Sequence, residues 1–85
     1  MNTNHVCKIL GVNVKYYRFK LGYTQEKLAE LCDLSPRYIS DIENFKGNIP
    51  MNTLENLAFV LKVEPYILLK EHKHRSLPKR VNMKD

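Results

Sequence analysis

Cys7, Cys32, His5, His72 and His74 are the side chains whose types could hold a metal ion or attack a substrate, and their spacing argues against both. The cysteines have no metal-ligand interval, and joining them to the histidines would require distant segments to converge. Cys32 falls in an apolar helical pattern, which predicts a buried, reduced thiol. The His72-x-His74 pair lies in a polar stretch, where solvated rings are expected rather than a metal site. The carboxylates fall at predicted helix-surface positions, and no nucleophile motif or phosphate loop occurs. Enzyme activity, a metal and a cofactor are therefore not expected.

The remaining chemistry is that of charge. Residues 1–23 carry Lys8, Lys15, Arg18 and Lys20 with no acid, and residues 72–85 carry Lys73, Arg75, Lys79, Arg80 and Lys84 against Asp85. Between these flanks, residues 24–44 hold Glu26, Glu30, Asp33, Asp41 and Glu43 against Lys27 and Arg37. A formal charge of +5 distributed in this way fits a polyanionic partner, although a solvated basic tail accounts for half of it. Eighty-five residues suffice for one compact domain, and 44% hydrophobic with 27% charged residues is a globular composition. No apolar run is long enough for a membrane span, and the first five residues lack a secretory pattern, so a cytoplasmic location is expected.

These side chains need elements to position them, and the hydrophobic periodicity predicts about five short helices. The first covers roughly residues 8–21, with Val14, Tyr17 and Leu21 on one face and Gly22 as its left-handed stop. Tyr16 and Tyr17 are expected to pack rather than to stack on a ligand. Thr24 caps a second helix, which buries Leu28, Ala29 and Cys32 and ends near Asp33. Ser35-Pro36 opens a third, which buries Ile39 and Ile42, presents Arg37, Tyr38, Ser40 and Asp41, and runs to about Asn44. After the loop 45–50, a fourth helix of about residues 51–62 turns Leu54, Leu57, Ala58 and Leu61 inward. Glu64-Pro65 starts a short fifth over Tyr66-Ile67-Leu68-Leu69-Lys70. Residues 8–71 thus read as one all-α domain and residues 72–85 as a basic, frayed tail.

The second and third helices, joined at Cys32-Asp33-Leu34-Ser35, have the proportions of a helix-turn-helix. Ala29 supplies the small residue where the two helices cross, and Leu34 supplies an apolar pin in the turn. In that motif the second helix of the pair enters the major groove of double-stranded DNA.

The run Thr24-Gln25-Glu26-Lys27-Leu28-Ala29-Glu30, then Leu34-Ser35, then Tyr38-Ile39-Ser40-Asp41-Ile42-Glu43-Asn44 resembles the phage repressor/Cro-type (XRE) helix-turn-helix family. The similarity continues through Thr53-Leu54-Glu55-Asn56-Leu57-Ala58 to Leu61 and Val63, and within the family it extends to short restriction–modification controllers and single-domain repressors. The resemblance implies a lambda-repressor-like bundle and a DNA-binding set of Thr24, Gln25, Pro36, Arg37, Tyr38, Ser40, Asp41, Asn44, Lys46 and Asn48. Gln25 would bond a phosphate and could brace a side chain of the third helix. Arg18 and Glu43 match a structural ion pair.

Arg37 is the expected base reader, because its planar fork suits guanine O6 and N7. The competing reading is that Arg37 and Asp41, four residues apart, simply pair with each other. Asn44, Lys46 and Asn48 would hold the DNA backbone. Phe45 stands where a left-handed glycine commonly ends the third helix, with Gly47 two residues on, so the exit of that helix is expected to differ. Asp33 replaces a frequent turn glycine, and aspartate tolerates that conformation.

A regulator of this kind would bind a near-palindromic operator as a homodimer, through Tyr66, Ile67, Leu68 and Leu69 or with these as a last core helix instead. Leu31 is expected to be an exposed apolar residue or part of a subunit contact. The alternative is an antitoxin-like interaction module whose tail, residues 72–85, engages a protein partner.

Overall fold

The structure, a computed structural model, describes residues 3–73. All five elements are helical: α1 (Thr3–Leu21), α2 (Gln25–Cys32), α3 (Pro36–Glu43), α4 (Met51–Leu61) and α5 (Pro65–Leu69). The first helix begins at Thr3 rather than near residue 8. The apolar stripe reaches back from Val14 through Leu10 to Cys7 at helical spacing, and the helix continues about one turn before it.

The termini are set by local chemistry. Thr24 Oγ1 accepts from the Lys27 N–H at 2.9 Å, and Ser35 Oγ accepts from the Tyr38 N–H at 3.0 Å, with Pro36 opening α3. Each supplies an acceptor to a backbone donor that has no partner within its helix. Gly22 stops α1 at φ 76°, Asp33 stops α2 at φ 56° and Lys62 stops α4 at φ 64°.

The core gathers Leu28, Ala29 and Cys32 of α2, Ile39 and Ile42 of α3, and Leu54, Leu57, Ala58 and Leu61 of α4 around Leu10 and Val14 of α1. On α1 the buried centre is Leu10, Asn13 and Val14, and Tyr17 and Leu21 lie half-buried at its edge. Leu68 is fully buried, so the last-core-helix reading holds for it and it leaves the dimer-surface set. Asn13 explains how so short a helix is seated. Its buried amide nitrogen lies 3.2, 2.9 and 2.8 Å from the carbonyls of Ile67, Leu68 and Lys70, its two hydrogens shared among these acceptors at the end of α5.

Burial raises the Cys32 thiol to about 11, as suits an inert core residue. His72 is half-buried, with Nε2 3.0 Å from the Ile67 carbonyl and its ring edge-on to Tyr17, which corrects the solvated reading of that ring. Its expected companion His74 and the rest of the basic tail, 74–85, lie outside the described residues.

Candidate nucleic-acid interface

Helix α3 has two faces with opposite duties. Inward, Ile39 and Ile42 anchor it to the core, and Glu43 ends it against α1. Glu43 Oε2 accepts from Arg18 Nε at 2.7 Å and Oε1 from Arg18 Nη2 at 2.9 Å, a bidentate fork with both side chains nearly excluded from solvent. Arg18 Nη1 donates to the Tyr23 carbonyl at 2.9 Å, and Gln25 Nε2 donates to Glu43 Oε1 at 3.1 Å. Three hydrogen bonds thus tie the end of α3 to α1 and to the first residue of α2, and a fourth ties Arg18 to the α1–α2 turn. No buried side-chain nitrogen or oxygen among the described residues lacks a partner. The Arg18–Glu43 pair and the brace by Gln25, which the family resemblance implies, are both formed.

Outward, α3 presents Pro36, Arg37 and Asn44 fully and Ser40 and Asp41 partly. Arg37 Nε lies 3.3 Å from Asp41 Oδ1, with the side chains 86% and 40% exposed. The pairing that competes with base reading is therefore formed, but in water an i,i+4 pair is worth only about 0.3–0.5 kcal/mol and yields easily to a stronger acceptor. Asp41 has a further tie: its carbonyl accepts the Lys46 N–H at 2.8 Å. Asn44 Nδ2 donates to the Ser40 carbonyl at 2.9 Å and reaches Ser40 Oγ at 3.3 Å. Tyr38 is only half exposed, because its ring packs on the core, which leaves less of it to face a ligand than the sequence suggests.

A cleft of about 460 Å³ opens where α2 begins, lined by Lys15, Phe19, Thr24, Gln25, Glu26 and Asn44 together with Arg18 and Glu43. The α2 N-terminus turns its free N–H groups and partial positive charge outward, and Lys15 adds a full charge beside them. Thr24 accepts the capping bond yet keeps its hydroxyl proton to donate, and Gln25 has further donor capacity.

Beyond α3, Lys46 and Asn48 are exposed and share a shallow cleft with Tyr38 and Asp41. The exit that leads to them is not altered as expected. Phe45 itself adopts the left-handed conformation, at φ 67°, and the Phe45 and Lys46 N–H groups bond the Ile42 and Asp41 carbonyls. A side chain there costs roughly 1–2 kcal/mol relative to glycine. Gly47 does not take over the role, since among the described glycines only Gly22 has a positive φ.

Sequence reasoning missed Asn13, whose polar type hid a buried position, and the seat of Phe45 on Gly11. The glycine in mid-helix was the available signal, because such a residue weakens a helix unless something must approach closely. Among the described residues no group of three or more His, Cys, Asp or Glu side chains could hold a metal ion, and no helix is long and apolar enough to cross a membrane.

A helix-turn-helix family model matches residues 14–68 of the chain. The control protein C.BamHI of Bacillus amyloliquefaciens is 40% identical over 68 residues, covering 79% of this chain and 84% of that protein. A hypothetical transcription factor of Neisseria meningitidis serogroup B is 36% identical over 61 residues, which cover 72% of this chain and only 58% of the relative. The crystal structure of the hypothetical transcription factor NHTF from Neisseria superposes with a TM-score of 0.76 at 31% identity, covering 84% of this chain and 82% of that one.

Proposed function

The chain belongs to the XRE-type helix-turn-helix family, and from that premise we propose that it is a sequence-specific transcription regulator, a repressor or autoregulator, acting on a near-palindromic operator as a homodimer. One observation carries this reading: α3 is locked from behind by the buried Arg18–Glu43–Gln25 cluster while Pro36, Arg37 and Asn44 stand exposed in front. A rigid helix with a polar outer face is what entry into a major groove requires.

Arg37 reads a guanine, exchanging its weak bond to Asp41 for two to the base. Ser40 and Asp41 face the same groove. Gln25, Thr24 and Lys15 engage one phosphate and Lys46, Asn48 and Asn44 another, so that backbone contacts fix the register on either side. The acidic charge of residues 24–44 makes these flanking lysines the source of attraction.

The dimer surface is drawn from the exposed Tyr66 and Leu69 with the partly exposed Ile67, extended by Met51 and Phe59 of α4. Two copies one helical turn apart supply the affinity that one small domain lacks. A role on chromosomal or plasmid DNA places the protein in the cytoplasm. The antitoxin-like alternative is not favoured, since the relatives named above are a control protein and a transcription factor.

Selection of bound duplexes from a random pool tests the proposal. An enriched motif with two-fold symmetry is expected; retention of DNA at moderate salt with no enriched motif would contradict it.

A further inference from the structure

The strained exit of α3 is gripped by α1 at two points. At the first, the Phe45 ring lies on Gly11: a Cβ built on that glycine would stand 2.8 and 3.1 Å from two ring carbons and 2.5 Å from the Ile42 carbonyl oxygen. Gly11 is thus a notch that admits both the ring and the α3 backbone. At the second, Cys7 Sγ donates to the Gly47 carbonyl at 3.1 Å. Gly47 in turn lies so close to Ile42 that a Cβ would meet its Cα at 3.2 Å. Lys46 sits between the two grips, exposed, with its N–H bonded to the Asp41 carbonyl.

Glycine at position 45 would adopt this turn without strain. What glycine lacks is the ring, and the ring's use is the contact with α1. We propose that Phe45 is a positioning residue for DNA-backbone contact, its ring on Gly11 holding the exit loop so that Lys46 and Asn48 stand ready beside the outer face of α3. The proposal rests on the DNA-binding reading and adds the contacts that hold the loop against α1. A lysine on a loop already fixed loses less freedom on binding a phosphate than one on a loop that must first be ordered. The benefit falls on backbone contacts and hence on all sequences alike, unlike the contribution of Arg37.

The test is a double-mutant cycle on the selected duplex, with Phe45→Gly, Lys46→Ala and both together, each titrated at several salt concentrations. Phe45→Gly is expected to keep its helical content and to weaken binding about tenfold across operator variants, with a salt slope lower by about one. The double variant is expected to bind more tightly than the sum of the two single losses predicts, falling below Lys46→Ala only by the share that Phe45 exerts through Asn48. Phe45→Asn, which tolerates left-handed backbone but lacks the ring, serves as a second ringless variant should Phe45→Gly fold poorly. A role in stability alone would lower the melting temperature while leaving salt slope and coupling unmoved, and that result overturns the proposal. Additive losses in the double variant overturn it too. Failure of the DNA-binding reading would show separately, as wild-type protein that binds no duplex at any salt concentration.

Discussion

Two arginine–carboxylate pairs meet at helix α3 and differ in every physical respect. Arg18 and Glu43 join distant segments, exchange two hydrogen bonds and are 6% and 4% exposed. Arg37 and Asp41 are neighbours on one helix, share a single 3.3 Å contact and stand in water. The first pair has surrendered its hydration and can be broken only at high cost. The second has kept its hydration and can be exchanged for a ligand at almost none. Burial thus decides whether a charged pair acts as a clamp or stays ready to exchange partners, and the two kinds lie on opposite sides of α3.

The largest expected effect comes from breaking the clamp. Glu43→Gln leaves the Arg18 guanidinium buried without its counter-charge and should lower unfolding free energy by about 3–5 kcal/mol in urea titrations. Replacing both partners by apolar residues, Arg18→Met with Glu43→Leu, should recover much of that loss. Additivity of the two single losses would show that the pair is not a unit.

Next comes the packing that brings α1 against α3. Gly11→Ala places a methyl group 2.5 Å from a backbone oxygen that cannot turn aside, and a loss of about 1–3 kcal/mol is expected. An unchanged melting temperature would mean that the two helices separate freely.

The buried side should also show in its pH dependence. The Cys32 thiol is raised from 9.0 to about 11 by desolvation, so between these values the unfolded chain releases its proton while the folded one retains it. Stability is therefore lost as pH rises through 9 to 11, by about 3 kcal/mol in all, and is unaffected by this group below that window. Accordingly, the stability difference between wild type and Cys32→Ala should narrow over the same range. A constant difference would place the thiol in contact with water.

Gln25 joins the two sides, bracing Glu43 at 3.1 Å while facing the cleft that begins α2. Gln25→Ala should weaken all DNA sequences about equally, by about 1 kcal/mol, with a comparable or smaller loss of stability. A change confined to one base position would move Gln25 among the readers.

The helix-turn-helix and its caps are legible in the sequence because their causes are local. Thr24, Ser35, Pro36 and Gly22 each act on backbone within four residues, and Ile39 and Ile42 declare their face by spacing alone. The family resemblance supplied Arg18 and Glu43, which lie too far apart for any local rule to pair them. What stayed hidden depends on tertiary approach. Asn13 is polar on an apolar face and makes sense only once the carbonyls of α5 are in place. Phe45 breaks the glycine preference of its position, and the reason lies 34 residues earlier in Gly11. Leu68 and Leu69 are equally apolar, yet one is core and the other surface, because so short a helix gives periodicity too little room to decide.

The most direct test of the division between clamp and reader is Arg37→Ala, assayed for unfolding free energy and for affinity to the selected operator and its single-base variants. Stability should change by less than about 0.5 kcal/mol, and preference at one base position in each half-site should relax by about 1–3 kcal/mol while the others keep their ranking. Uniform weakening across all sequences, or a loss of stability like that of Glu43→Gln, would contradict the assignment of the outer face of α3 to base reading.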